Sequence, residues 1–202
     1  VKRLGFCSSF FLKFKNMKIN EVGFWETTDQ TGHVHDLSIA SALSQYLADK
    51  QAKTVVDFGC GMGDYAKAFK ADGYKVEAYD GNPNTESLSG GIGKVLDLSK
   101  PFYLGKKFDV VMSLEVGEHI PKKFEEQFID NITKHAKKHL IISWAVVGQG
   151  GDGHVNCANN DYIIEQIVDR GFKHNAKDSQ TIRNAATNAS WFGYTIMVFD
   201  KI

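Results

Sequence analysis

The stretch VVDFGCGMGDYAKAF, residues 55–69, limits the folds open to this 202-residue chain more than any other segment. A β-rich apolar run ends near Asp57, three glycines follow at alternate positions (Gly59, Gly61, Gly63), and a helical pattern starts at Asp64. Glycines so close together cost backbone entropy, so they are kept where a chain must turn tightly or let another group come near its main chain. A strand that passes through such a turn into a helix is the opening unit of a βαβ fold. The free N–H groups of that helix face whatever lies beyond the strand end.

The scheme then repeats. GYKVEAYDG (73–81) is a glycine turn and a strand with an acidic end at Asp80; a short strand is expected around Lys94–Leu96 and a longer one in KFDVVMSLE (107–115). KHLIISWAVV (138–147) reads as a strongly buried strand, and late strands near 172–175 and 193–199 close the chain. Helical spacing appears in DLSIASALSQYLADK (36–50), with Leu37, Ala40, Leu43 and Leu47 on one face and Asp36 as its cap. PKKFEEQFIDNITKHA carries Phe124, Phe128 and Ile132 on one face, and NDYIIEQIVDRGF is a helix that stops at Gly171, with Asp161 as cap or first-turn acid. Short apolar strands alternating with amphipathic helices predict a three-layer α/β fold with a mainly parallel sheet and right-handed crossovers.

Composition adds exclusions. With 43% apolar and 24% charged residues the chain reads as one globular domain over residues 1–202. Its 24 basic and 24 acidic residues cancel, which argues against a dedicated nucleic-acid binder. Cys7, Cys60 and Cys157 are odd in number and form no CxxC, so a reducing, cytoplasmic setting is expected. No run is long enough to span a bilayer. LGFCSSFFLKFKNM (4–17) is interrupted by Lys13 and Lys15 and is read as lacking a processing signal. Because the sequence begins with Val, it is read as trimmed or partial.

The glycine loop also discriminates among ligands. No G-K-[ST] follows it, as a phosphate-binding P-loop would need, and a G-x-G-x-x-G fingerprint starting at Gly59 would place its last glycine where Asp64 stands. A carboxylate there disfavours a pyrophosphate, whereas Asp57 suits a ligand with positive charge.

VVDFGCGMG resembles the first motif of class I methyltransferases that use S-adenosylmethionine, and further segments resemble that family's later motifs, in order, over about residues 53–199. The resemblance implies a three-layer Rossmann-like methyltransferase fold: a seven-stranded, mostly parallel sheet with an antiparallel last strand. Residues 1–50 would form an N-terminal lid and first helix, and 53–199 the core. Asp57 and Gly59 would lie near the methionine part of the cofactor, with Cys60 and Gly61 in the same loop. Asp80 would accept from the ribose hydroxyls, with Gly81 continuing that edge. VLDLS would bring Asp97 to the adenine amino group and Leu98 onto the ring, and Leu114 and Glu115 would border the cofactor. Asp80 and Asp97 are also good turn and cap residues on sequence grounds alone.

Methyl transfer needs an aligned nucleophile, exclusion of water and, for a hydroxyl, a proton acceptor. In EVGEH, Glu115, Glu118 and His119 share one face if the segment makes a helical turn, and two carboxylates with an imidazole suit Mg²⁺, Mn²⁺ or Zn²⁺. The same arrangement resembles ubiquinone-pathway O-methyltransferases and small-RNA 3′-terminal 2′-O-methyltransferases, in which such residues ligate a divalent cation. That resemblance implies a further ligand from later in the chain, and His154 in GDGHVN would supply it. The histidine-rich later segment of the RNA group has no counterpart here. His154, His119 and His35 are the candidate catalytic residues, and simple substrate-edge or structural roles remain open for each. The expected reaction is methyl transfer to a hydroxyl of a small molecule. The alternatives are an RNA 2′-O-methyltransferase, a nicotinamide-dependent oxidoreductase and a non-catalytic cofactor-binding partner protein.

Overall fold

The computed structural model describes residues 18–29 and 32–202; Cys7 and the 4–17 segment lie outside them. The first core strand, β1 (Thr54–Phe58), shows how the sheet is made. Val55 and Val56 point to opposite faces, as period-2 geometry requires, and both are fully buried. The strand therefore needs cover on both sides, which a parallel α/β sheet supplies. Val55 joins Val110, Met112, Ile141 and Val198 under α1 (Leu37–Asp49), α2 (Asp64–Ala71) and, through Ile182, α6 (Ala176–Arg183). Val56 joins Val111, Leu140, Ile142 and Phe199 under α4 (Glu125–His135) and α5 (Asn160–Val168).

The remaining elements are β2 (Lys75–Asp80), α3 (Thr85–Leu88), β3 (Gly93–Val95), β4 (Phe108–Ser113), β5 (Ala136–Ile142), β6 (Phe172–His174), α7 (Phe192–Thr195) and β7 (Met197–Lys201). The seven strands lie in the order β3-β2-β1-β4-β5-β7-β6. All neighbours are parallel except β7, which runs antiparallel to both β5 and β6. This is the expected architecture, antiparallel last strand included. The chain reverses from β1 outward to β2 and β3, then crosses back to β4, so β1 and β4 flank the switch point where ligands of such sheets collect.

Two local expectations need correction, and one helix was not expected. The run KHLIISWAVV leaves the sheet after Ile142 because Trp144, although fully buried, turns to donate its indole N–H to the Asn156 carbonyl at 2.7 Å. Residues 193–199 are not one strand; α7 comes first and β7 follows. A helix at 176–183 was not legible from apolar spacing, since Ile182 is its one large apolar residue; the Asn175 side chain caps it by accepting from the Asp178 amide at 3.0 Å, and Ile182 and Ser179 are buried. Among the described residues no helix is long and apolar enough to cross a membrane.

Candidate functional site

At the carboxyl end of the sheet a cavity of ≈ 390 Å³ opens between the loops that follow β1, β2 and β4 and a segment before α1. Its floor is the glycine loop. Gly59, Gly61 and Gly63 all have positive φ (84°, 51° and 71°), so each is needed for its backbone and not only for space. A Cβ on Gly59 would stand 2.2 Å from Val116 Cγ2, and one on Gly61 would stand 2.8 Å from the His33 ring. Gly63 is the N-cap of α2.

Asp80, at the end of β2, reaches across the loop. One carboxylate oxygen accepts from the Gly61 amide at 2.9 Å and the other from the Asn82 amide at 2.8 Å, which leaves lone pairs on both for a ligand. Asp57 is buried, and burial together with the Asp80 charge pushes its carboxyl up to about 7. A cation would restore the ionised form. Cys60 lines the cavity, but burial pushes its thiol far up, which makes it an inert wall. Gly81 lies against the ring of Phe24, and Leu98 and Leu114 supply apolar wall. Asp97 also lines the cavity, yet its carboxylate is engaged by Ser99 (amide 3.0 Å, hydroxyl 2.6 Å) and by Lys100 at 3.0 Å. These contacts fix its place at the rim of the cavity.

The EVGEH segment is a tight turn, closed by the His119 amide on the Val116 carbonyl and the Ile120 amide on the Gly117 carbonyl. Gly117 is required there because the Trp144 ring packs where its Cβ would be, 2.0 Å away. Glu115 stands outside the turn with φ 54°, an uncommon value for a side-chain-bearing residue. Its amide donates to Ser143 Oγ at 2.8 Å and its carboxylate accepts from Gln149 Nε2 at 3.1 Å. The predicted set of four therefore separates. Glu118, His119 and His154 each offer a ligand atom within 4.8 Å of one another, and Glu115 is beside them but not in that group.

The chemistry of this triad is specific. Both oxygens of the fully buried Glu118 lack a hydrogen-bond partner. Burial first, and then the Glu115 charge, raise its pKa well above the ordinary carboxylate range. His119 Nδ1 pairs with the Gly153 carbonyl at 3.2 Å and His154 Nδ1 with the Gln149 carbonyl at 3.2 Å. A carbonyl can only accept, so in both rings Nδ1 carries a proton and donates it, which turns Nε2 toward any ligand. Burial, then the neighbouring His154, push His119 down to about 4 and keep it neutral. Two imidazoles each oriented through Nδ1, with a buried carboxylate that has no hydrogen-bond partner, form a donor set suited to a divalent cation. The two loops are coupled, since the Val155 and Asn156 amides both donate to the Glu118 carbonyl at 2.9 Å.

His35 lines the cavity and meets Tyr65 edge-on, with its Nε2 buried and unpartnered. Sequence reasoning did not assign Trp25, His33, Tyr65 or Gln149. The first two sit in a polar loop whose only signal was an unusual density of aromatic and histidine residues. Gln149 gave no signal, because its role depends on Glu115, 34 positions away.

Comparison with known proteins follows the geometry. Residues 32–147 match the family model described as a methyltransferase domain. The chain is 31% identical over 126 residues to a probable tocopherol O-methyltransferase from rice, Oryza sativa subsp. japonica, covering 53% of this chain and 33% of that protein. It is 26% identical over 170 residues to a ubiquinone biosynthesis O-methyltransferase from Rickettsia canadensis, covering 77% and 66%. The chain thus spans a third to just under two thirds of the length of these curated relatives. Among solved structures, a magnesium protoporphyrin IX methyltransferase from Synechocystis with bound S-adenosylhomocysteine superposes with a TM-score of 0.64 at 20% identity, covering 83% of each chain.

Proposed function

Because the chain belongs to the methyltransferase domain family, we propose that it transfers the methyl group of S-adenosylmethionine to a hydroxyl of a small molecule. The observation that carries this reading is the junction of Asp80 with the Gly61 amide across three left-handed glycines. That junction presents a paired acceptor for a ribose diol beside a loop open to close approach. Asp57 then stands ready for the cofactor's ammonium, since a buried carboxylate with a raised pKa is stabilised by a cationic partner. Among the described residues no Lys or Arg lines the cavity, while Asp57, Asp64, Asp80, Asp97, Glu115 and Asp152 do. Such a lining favours the positively charged sulfonium. It disfavours nicotinamide dinucleotides and an RNA acceptor, whose phosphates need cationic or amide-rich cradles. The two curated relatives are O-methyltransferases by name, which supports a hydroxyl as acceptor.

Glu118, His119 and His154 would hold a divalent cation at the acceptor end of the cavity. The two imidazoles favour Mn²⁺ or Zn²⁺ over Mg²⁺, which prefers oxygen. A bound cation supplies Lewis acidity that eases loss of the acceptor's hydroxyl proton. Glu118 brings the compensating charge, Gly153 and Gln149 orient the histidines through their carbonyls, and the segment before α1 covers the site from water.

Calorimetric titration with S-adenosylmethionine, S-adenosylhomocysteine and NADH tests the cofactor. Binding of the first two without NADH is expected, and NADH binding alone refutes the reading. Titration with Mn²⁺ tests the triad. Glu118→Gln should abolish Mn²⁺ binding and leave S-adenosylhomocysteine affinity within about twofold, whereas a wild type without affinity for Mn²⁺ or Zn²⁺ removes the cation from the proposal.

A further inference from the structure

One buried charge lies outside the chemistry of the site. Glu125, the first residue of α4, is 1% exposed and is not among the residues that line the cavity. A carboxylate taken out of water is costly unless donors surround it. Three do so here. One oxygen accepts from Lys122 Nζ at 2.6 Å and from the Tyr162 hydroxyl, and the other accepts from Asn156 Nδ2 at 2.8 Å. Burial alone would raise this carboxyl, but Lys122, Tyr162 and Asn156 outweigh it and lower it, so the group is ionised at neutral pH.

Asn156 is where this charge meets the site. It ends the loop GQGGDGHVN (148–156), whose four glycines leave the backbone many alternatives to the one path that presents His154. Two of them, Gly148 and Gly153, stand at φ 90° and 78°. Asn156 is buried and bonded in three directions. Its amide donates to the Glu118 carbonyl at 2.9 Å, its carbonyl accepts from Trp144 Nε1 at 2.7 Å, and its side-chain amide reaches Glu125.

These contacts join the two parts of the ligand group. Asn156 follows His154 by two positions, and its amide bonds the backbone of Glu118, next to His119. A glycine-rich loop held at its end by backbone bonds alone can still pivot about that end. A side-chain bond to a separate helix, α4, removes the pivot, and Tyr162 ties the same carboxylate to α5. Among the described residues the hydrogen bonds of Glu125 and Asn156 run to these helices, to Lys122, to Trp144 and to the EVGEH turn, and none runs to Asp80 or the glycine loop.

We propose that Glu125 is a positioning residue: through Asn156 it holds His154 within reach of Glu118 and His119, and so sets the affinity of that group for its cation. The inference rests on the cation reading above and extends it to two residues outside the cavity. Groups that orient a metal ligand govern affinity by about ten- to a hundredfold. Cofactor affinity is independent of the pair, because its bonds lie at the other end of the site.

The test measures Mn²⁺ and S-adenosylhomocysteine affinities by calorimetry on wild type, Asn156→Ala, Glu125→Ala and the double variant, with folding checked by circular dichroism. Each single change should weaken Mn²⁺ about ten- to a hundredfold and leave S-adenosylhomocysteine within about twofold. The double variant should be no worse than the weaker single one, since both remove the same bond. Glu125→Gln keeps an oxygen for Asn156 and should fall between wild type and Glu125→Ala. Unchanged Mn²⁺ affinity, equal weakening of both ligands, or additive losses in the double variant overturn the proposal. Should Glu125→Ala fail to fold, Asn156→Ala and Glu125→Gln decide. A wild type that binds S-adenosylhomocysteine and not Mn²⁺ refutes the cation reading. The positioning of His154 is then read from its ring proton resonance, which should move in Asn156→Ala while that of His139 stays; a His154 signal identical to wild type overturns it.

Discussion

Replacing Asp36 should cost more stability than any helix cap normally does, because its carboxylate is shared by two distant parts of the chain. One oxygen caps α1 by accepting from the Ser38 and Ile39 amides at 3.0 and 3.1 Å. The other accepts from the Thr187, Asn188 and Ala189 amides at 2.9, 2.7 and 2.9 Å. Loss of the cap alone is worth about 1 kcal/mol. Thr187 and Asn188 are exposed, so water replaces the carboxylate there and the loss is about 1 kcal/mol each. Ala189 is buried, and its stranded N–H adds about 1–3 kcal/mol. Asp36→Ala is therefore expected to lower stability by about 4–6 kcal/mol, or roughly 8–24 °C in Tm for a domain of this size. Asp36→Asn should recover little, since its NH₂ must face N–H donors whichever way it turns. Urea denaturation at pH 7 followed by circular dichroism measures the change in midpoint at constant slope. The pH dependence gives an independent check. Burial alone would raise this carboxyl, but the amides of Ala189, Thr187, Ile39 and Asn188 outweigh it and hold it well below the usual carboxylate range. A depressed folded-state pKa means that the stabilisation is complete above about pH 4 and is lost as the pH falls further. Asp36→Ala should lack that acid-sensitive component. A loss below about 1 kcal/mol, or an acid response identical to wild type, would refute the account.

Other expectations concern the cavity. Asp80→Ala should weaken S-adenosylhomocysteine about ten- to a hundredfold, by removing ribose acceptors and releasing the Gly61 amide; unchanged affinity in calorimetry would rule out the ribose assignment. Asp57 ionises at about 7 in the free protein, so affinity for the ammonium-bearing cofactor should rise between pH 6 and 8. The raised pKa also means that the free protein loses stability from this group as pH rises from about 4 to about 7. Asp57→Asn should flatten the affinity profile, and a flat wild-type profile would contradict the pairing. Gly59→Ala should abolish cofactor binding through the clash with Val116 and the strain at φ 84°, and Val116→Ala in the same chain should relieve only the clash. Full recovery in the double variant would show that the left-handed backbone is not needed.

The sequence by itself determined the sheet and the cofactor loop, because both are written in local, periodic patterns. Val55 and Val56, Val110 and Val111, Leu140 and Ile141 alternate between two buried faces, and any chain that hides both must sandwich the sheet with its helices. Gly59, Gly61 and Gly63 declare a tight turn because no other residue adopts those backbone angles easily. Even the EVGEH turn was legible as a cluster of ligand-type residues. Only the tertiary structure decided which of them meet. A helical turn alone would have grouped Glu115 with Glu118 and His119, but only the latter two share the 4.8 Å group with His154, and Glu115 stands beside it with its carboxylate on Gln149. His154 is brought in by amides that bind the Glu118 carbonyl from 37 and 38 positions further along the chain. Asp36 likewise reads as an ordinary cap until the loop 151 residues away folds onto its second oxygen. Trp25 and His33 join the cavity wall only when the segment before α1 lands on His119 and Gly61. Local propensity fixes backbone direction over a few residues, whereas the partners of a buried polar atom are chosen by whichever distant segment excludes water from it.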